Sequence, residues 1–439
     1  MRKIFCCFIL LSTSGLLFAN SEKNVITMIL QDAASSDFYY QYTDNIADMM
    51  EETFGVDRPV AIDIQETILA EIKSNRTQYH DYSEGKNFGA IRTIIDKKLP
   101  HNSWNTIHRF LRAVRAKDAD TAKKFVHVEE GKSFKIEDFD VTAIDNMLTN
   151  KSNRHIWPEF EMEIKMEFAN GGEVEQEATL RVDEKWASSY GMQSKLRKTA
   201  NKLFQWMVLS SDLDKVDGDI KVEYQFECEG SHKTKTEITT ARKNGKWGVL
   251  AIDRAHIRKA TPAGGIGVDG PGQQNWTSPW ETVQKFVAAI EAKDQQALEK
   301  VAHYKSTRKN YFDVKRLDFD INSDVTDLKK WVSAKPLDAS EISVECLYGT
   351  DEADEAFAME TQVEFSNCPP AATTKIHQNA HKAIQHLLND NDWMEYAVSD
   401  QTVVGYKLSL KTKDGKKSHV RLFVDWTGDK WMVTGYDHQ

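Results

Sequence analysis

One stretch of this chain is written twice. The run from Trp104 through Phe110, Ala113 and Ala116 to Asp118 returns 176 residues later as Trp280 through Phe286, Ala289 and Ala292 to Asp294. A second landmark, Lys246-Trp247-Gly248-Val249, returns 184 residues later as Lys430-Trp431-Met432-Val433, so the second copy carries eight extra residues between its landmarks. Two echoes in one order, the first helical in pattern and the second strand-like, mean that one supersecondary plan is used twice. Residues 101–256 and 276–439 are therefore expected to share a topology.

Composition narrows the class. At 439 residues the chain exceeds what one core usually serves, and 40% hydrophobic residues with 10% aromatics supply ample surface to bury. The 57 basic against 67 acidic side chains leave −10 overall, which repels polyphosphate and argues against nucleic-acid binding. Met1-Arg2-Lys3, the apolar run Ile4 to Phe18 and small Ala19 read as an export signal over residues 1–19, cleaved after Ala19. That places the mature protein in the periplasm or outside the cell. No later segment reaches the roughly 18 apolar residues that a helical span needs, so no stable membrane span is expected after cleavage. Cys228, Cys346 and Cys368 remain in the mature chain. An odd count in an oxidising compartment leaves a free thiol and makes a disulfide framework the poorer reading.

Residues 20–98 match neither copy and read as a small helical region. Its first stretch closes at Gly55, and its second, Ala61 to Lys73, carries Ile64, Ile68 and Ile72 on one face. Tyr39, Tyr40, Tyr42, Tyr79 and Tyr82 suit packing better than a contact surface. Each repeat then opens on a helix, with Ser103 as the cap candidate in the first and Ser278-Pro279-Trp280-Glu281 as a capping box in the second. Asp118 and Asp294 sit where a following short helix needs an N-cap, which outweighs a paired acidic site. Next, Phe160, Met162, Ile164, Met166 and Phe168 alternate with Glu161, Glu163, Lys165 and Glu167, and Asn170-Gly171-Gly172 turns the chain. Period two predicts a hairpin with one buried face and one wet, acidic face that Glu173, Glu175 and Glu177 extend. Its counterpart is expected at 342–348 and 357–365. A helix through Leu196 and Met207, or through Ile376 and Leu387, precedes three closing strands, the first copy turning at Asn244-Gly245. Residues 257–275, rich in Gly and Pro, read as a linker.

Sets of residues that suggest chemistry mostly fail on context. Gly265-Ile266-Gly267-Val268-Asp269-Gly270 fits a dinucleotide string but lacks a strand before it and a helix after it, so no cofactor is expected. His377 and His381 share a helical face at a spacing that can present two imidazoles to one ion. His386 falls on the opposite face, no carboxylate completes a motif, and no metal is assigned. Cys228 and Cys346 fall in register with apolar neighbours and read as core.

The order of helix pair, hairpin, helix and closing strands, from Pro279-Trp280-Glu281 to Gly428-Asp429-Lys430-Trp431-Met432-Val433, resembles the nuclear-transport-factor-2-like superfamily, the cystatin-like α+β roll. The resemblance implies an α+β fold: two tandem cone-shaped rolls, each with helices packed on a curved antiparallel sheet, after the helical N-terminal region. It also implies a hydrophobic pocket between sheet and helices, used for acid-base chemistry in relatives similar to ketosteroid isomerases and polyketide cyclases. No catalytic motif of those enzymes matches a position here, so no catalytic, binding or cofactor residue carries over. The expectation is an exported, non-catalytic binding or envelope-associated protein holding a small apolar ligand, a peptide or a protein partner. Two alternatives stay open: an isomerase- or dehydratase-like enzyme with an acid-base residue in a roll pocket, and a scaffold forming a homodimer through its sheet faces.

Overall fold

The computed structural model describes residues 54–75, 86–128, 133–139, 159–182, 216–229, 232–258, 278–303, 321–349, 355–389 and 402–438, with isolated positions between 25 and 51 and at 207 and 213. The export signal, the five tyrosines, residues 259–275 of the linker and the Gly265–Gly270 string within it lie outside the described residues. So does most of the helix expected between Leu196 and Met207. The chain packs as two compact units. The first is Met1–Arg154, Phe204–Glu223 and Thr236–Ala255; the second is His155–Leu203, Tyr224–Lys235 and His256–Gln439.

In the first unit, helix α1 (Arg58–Ser74) carries Pro59 at its second position and buries Ala61, Ile64, Ile68 and Ile72 along one stripe. Gly55 closes the stretch before it at φ 56°, where a side chain would strain the backbone. With Ile91 and Ile95 of α2 (Lys86–Lys98), these residues and Ile26, Ile29 and Phe54 make a core of their own. Helix α3 (Ser103–Arg115) is capped by Asn102, whose side chain accepts from the Asn105 amide. This corrects the expectation of a Ser103 cap. Ser103 lies one position further in and is fully buried, its hydroxyl 2.6 Å from that of Thr240. α2 and α3 are tied by Arg112, which grips Asp96 with both guanidinium nitrogens at 2.8 Å.

In the second unit, α5 (Pro279–Glu291) is capped by Ser278 and pairs Glu281 with Lys285 one turn on. The corners after α3 and α5 are alike. Lys117 at φ 56° and Lys293 at φ 52° end the helices in the left-handed region. Asp118 then caps α4 (Ala119–Ala122) by accepting from the Thr121 amide, as Asp294 caps α6 (Gln295–Val301) by accepting from Ala297, each at 3.0 Å. Both aspartates are therefore caps. The chain next touches the last strand of its repeat through one parallel bridge, Val126 with Val249 and Ala302 with Val433. Helices α7 (Thr326–Val332) and α8 (Pro370–Asn389) complete the second unit.

The strands are β1 (Glu159–Phe168), β2 (Glu173–Val182), β3 (Ile220–Glu229), β4 (His232–Lys243) and β5 (Lys246–Arg258), then β6 (Glu341–Gly349), β7 (Glu355–Ser366), β8 (Val403–Lys411), β9 (Lys417–Trp426) and β10 (Trp431–His438). They form one open sheet in the order β10-β9-β8-β6-β7-β2-β1-β3-β4-β5. The fold is α+β, and each repeat lays its five strands in the same sequence of neighbours. The sheet does not stop where a repeat ends: β2 and β7 join antiparallel over ten cross-strand pairs. That seam differs from the expectation of a separate sheet in each repeat. Its cause is elementary, because β2 and β7 are equivalent edge strands, each with an unpaired backbone ladder that the other satisfies. Thr361 donates to the Glu177 carbonyl, and Asn170 donates to the Asn367 carbonyl. A side chain at Gly172 would collide with that same Asn367 carbonyl, so the close approach at the hairpin tip needs glycine.

Candidate functional site

Alternation decides what the central strands show to solvent. Met162, Ile164 and Met166 of β1, with Val174, Ala178 and Leu180 of β2, are buried, so the residues between them stand on the other face. The register then sets acid against acid. Glu163 faces Glu177, and Glu167 faces Glu173, across β1 and β2. Glu175 faces Glu364 across the seam, while Glu364 faces Glu341, and Glu360 faces Glu345, across β7 and β6. Directly opposed like charges destabilise a sheet, whereas opposed unlike charges would support it. Other contacts follow the usual rule: Lys407 of β8 pairs with Glu345 at 2.7 Å, Lys411 with Glu341 at 3.8 Å and Arg181 with Glu360 at 3.5 Å, while Lys165 of β1 stands opposite Glu175.

Glu163, Glu175 and Glu177 bring carboxylate oxygens within 4.8 Å of one another. Burial pushes the Glu163 carboxyl above its ordinary pKa, and the charges of Glu175 and Glu177 push it further. Glu177 moves the same way, from burial first and then from Glu175, Glu360 and Glu364. This band holds more negative charge than its surroundings neutralise, so its chemistry is attraction of cationic groups. An oxygen trio of this kind also has the donor type that hard cations take. The acids of β1 and β2 are visible in the sequence, where they read as a solvated face. Nothing in it signals that β7 adds Glu360 and Glu364, because that depends on the seam.

The interior of the second unit is filled by large side chains. Trp280, Trp331, Trp431 and Phe286 are at most 2% exposed. Tyr406 is fully buried directly opposite Cys346 of β6, with the Trp280 ring edge-on at 5.2 Å. Burial raises the pKa of this phenol well above the ordinary value, and Cys346 adds to the effect, so it stays protonated. Cys346 itself is buried as core; the Cys228 side chain lies outside the described residues. His377 and His381 lie on α8, and burial lowers the pKa of both rings. The side chain of His386 is not among the described residues. Among the described residues no helix is long and apolar enough to cross a membrane.

A scan against protein-family models, a search of curated proteins and a search of solved structures each give no match to this chain.

Proposed function

We propose that this chain is an exported, non-catalytic binding protein made of two tandem rolls of the nuclear-transport-factor-2-like kind, and that it holds a basic peptide or protein of the cell envelope on its acidic sheet face. The observation that carries this reading is the run of glutamates opposed to glutamates across β1, β2, β7 and β6. Each like pair gives up roughly 0.2–1 kcal/mol relative to an uncharged one, and a docked row of Lys or Arg side chains would return it. Complementary charge also speeds encounter and excludes acidic competitors. Trp280, Trp331 and Trp431 already occupy the interior of the second unit, which favours the face over a pocket for a small apolar ligand.

The test is titration of the full chain with a synthetic Lys-rich peptide at low and high salt. Binding should weaken with salt and fall at least several-fold in the triple variant Glu163→Gln/Glu175→Gln/Glu177→Gln. Equal affinity for a matched acidic peptide, or an unchanged triple variant, would sink the reading. N-terminal sequencing of the mature protein checks cleavage after Ala19. An enzyme of the isomerase or dehydratase kind is the second reading, and Tyr406 is the residue that favours it. A phenol kept neutral by burial can donate to a developing oxyanion, so Tyr406→Phe would abolish turnover of an enolisable ketone if that reading held.

A further inference from the structure

The open sheet ends on β5 at one side and on β10 at the other, the last strand of each repeat. Both edges are guarded at the same place. After its corner each repeat lays a short segment along the outside of its own last strand, bridging Val126 to Val249 and Ala302 to Val433 in parallel. The next amide, of His127 or His303, donates to that same valine's carbonyl, at 3.1 and 2.9 Å. Among the described residues no isolated bridge of this kind lies on β2 or β7, and those two edges join each other. In this molecule a bare edge finds a strand and a bridged edge ends the sheet.

The two edges differ in what a guard must restrain. β10 is 8 residues long and carries a bulge between Val433 and Gly435, a poor template for a further strand. β5 runs for 13 residues. Its first half, Trp247-Gly248-Val249-Leu250-Ala251-Ile252, is uncharged and free of proline, the composition that adds readily to another strand. Asp253, Arg254 and Arg258 put charge on the second half, which blunts it. The bridge at Val249 therefore falls on the half that charge does not protect.

The first guard is also the better fastened. The His127 ring lies on Gly248, where a first side-chain carbon would come within 2.6 Å of it. Its Nε2 stands 3.1 Å from the Ala241 carbonyl of β4 and 3.0 Å from the Lys246 carbonyl of β5. Two carbonyl acceptors require that this nitrogen carry the hydrogen. The segment is thus held to β5 by its backbone and across to β4 by its ring. In the second repeat Met432 stands in the place of Gly248, and His303 is exposed.

We propose that residues 126–127, pinned by the His127 ring, are a strap that shuts the uncharged half of β5 against a second copy of this chain, and that two chains with lifted straps join there edge to edge. The joined strands run antiparallel, as β2 and β7 do, because two identical strands related by a two-fold axis across a sheet point in opposite directions. Neither the strap nor its strand involves the acidic face.

The mass of the full chain in solution, followed by light scattering over a range of concentrations, tests it on the native protein and on His127→Pro. That substitution removes ring and amide donor together, and Val126, at φ −122° and ψ 140°, already has the backbone that a following proline requires. The variant should rise with concentration to at least twice the native mass. Adding Ala251→Lys puts a charge inside the uncharged half of β5 and should return it to the native mass, which a general loss of stability would not do. If His127→Pro does not fold, His127→Ala, which keeps the amide, should show the same rise at higher concentration. Equal masses for the native chain and the variant that folds, or a rise that Ala251→Lys leaves in place, would overturn the proposal.

Discussion

The two repeats use the same corners and different interiors. Lys117 with Asp118, and Lys293 with Asp294, turn the chain with nearly the same angles and the same caps. Behind those corners the chemistry parts. The first repeat buries Ser103, Thr236 and Thr240 where the second has Pro279, Val420 and Val424. Next to the final hairpin the first repeat places Arg242, which donates to the carbonyls of Leu213, Val216 and Gly218 and lies over the Trp247 ring. The second repeat puts Trp426 there, edge-on to Trp431. A backbone corner has few substitutes, because caps and left-handed turns accept few residues. An interior accepts any set that fills the volume and satisfies its polar atoms.

The comparison breaks first at the shared tryptophans. Trp247→Ala and Trp431→Ala should each cost about 3–5 kcal/mol in denaturant unfolding, and a loss in only one would show that the equivalent positions bear different loads. Arg242→Met should cost about 2–4 kcal/mol by stranding three carbonyls. Trp426→Phe, which only trims a ring, should cost less, and the reverse ranking would refute the role given to Arg242. Thr240→Val copies the residue of the second repeat but leaves Ser103 without that hydroxyl, a loss of about 1–2 kcal/mol. Adding Ser103→Ala should recover part of it, and a strictly additive double variant would mean that the two hydroxyls do not interact.

The smallest expected effect is also the most specific. Glu177 faces Gln362 across the seam, so Glu177→Gln sets amide against amide at that point. The raised pKa means that the folded state holds its proton more tightly than the unfolded chain. Glu177 therefore detracts from stability at neutral pH, and the deficit shrinks as pH falls through the raised value toward the ordinary one near 4.5. The variant should be slightly more stable than the native chain at pH 7 in low salt, by a few tenths of a kcal/mol at most, with the gain fading in high salt. A gain that grows on acidification would contradict the assignment.

What the sequence makes legible is local. Alternation in β1 puts Met162, Ile164 and Met166 inside and the glutamates outside. Asn244-Gly245 turns with φ of 53° and 76°, as a two-residue hairpin requires. Asn102 and Ser103 are both good caps by residue type, and a tertiary contact, the Thr240 hydroxyl, decides between them. The seam is out of reach, since an edge strand's own residues do not say which distant edge will complete its ladder. For the same reason the acids of β7 cannot be joined to those of β1 and β2 from sequence.

The ten backbone pairs between β2 and β7 bear on anyone who would express one repeat without the other. A half-length chain ending at the linker would expose a strand whose natural mate belongs to the missing half. Two such halves made together should find each other, and one made alone should settle for its own twin.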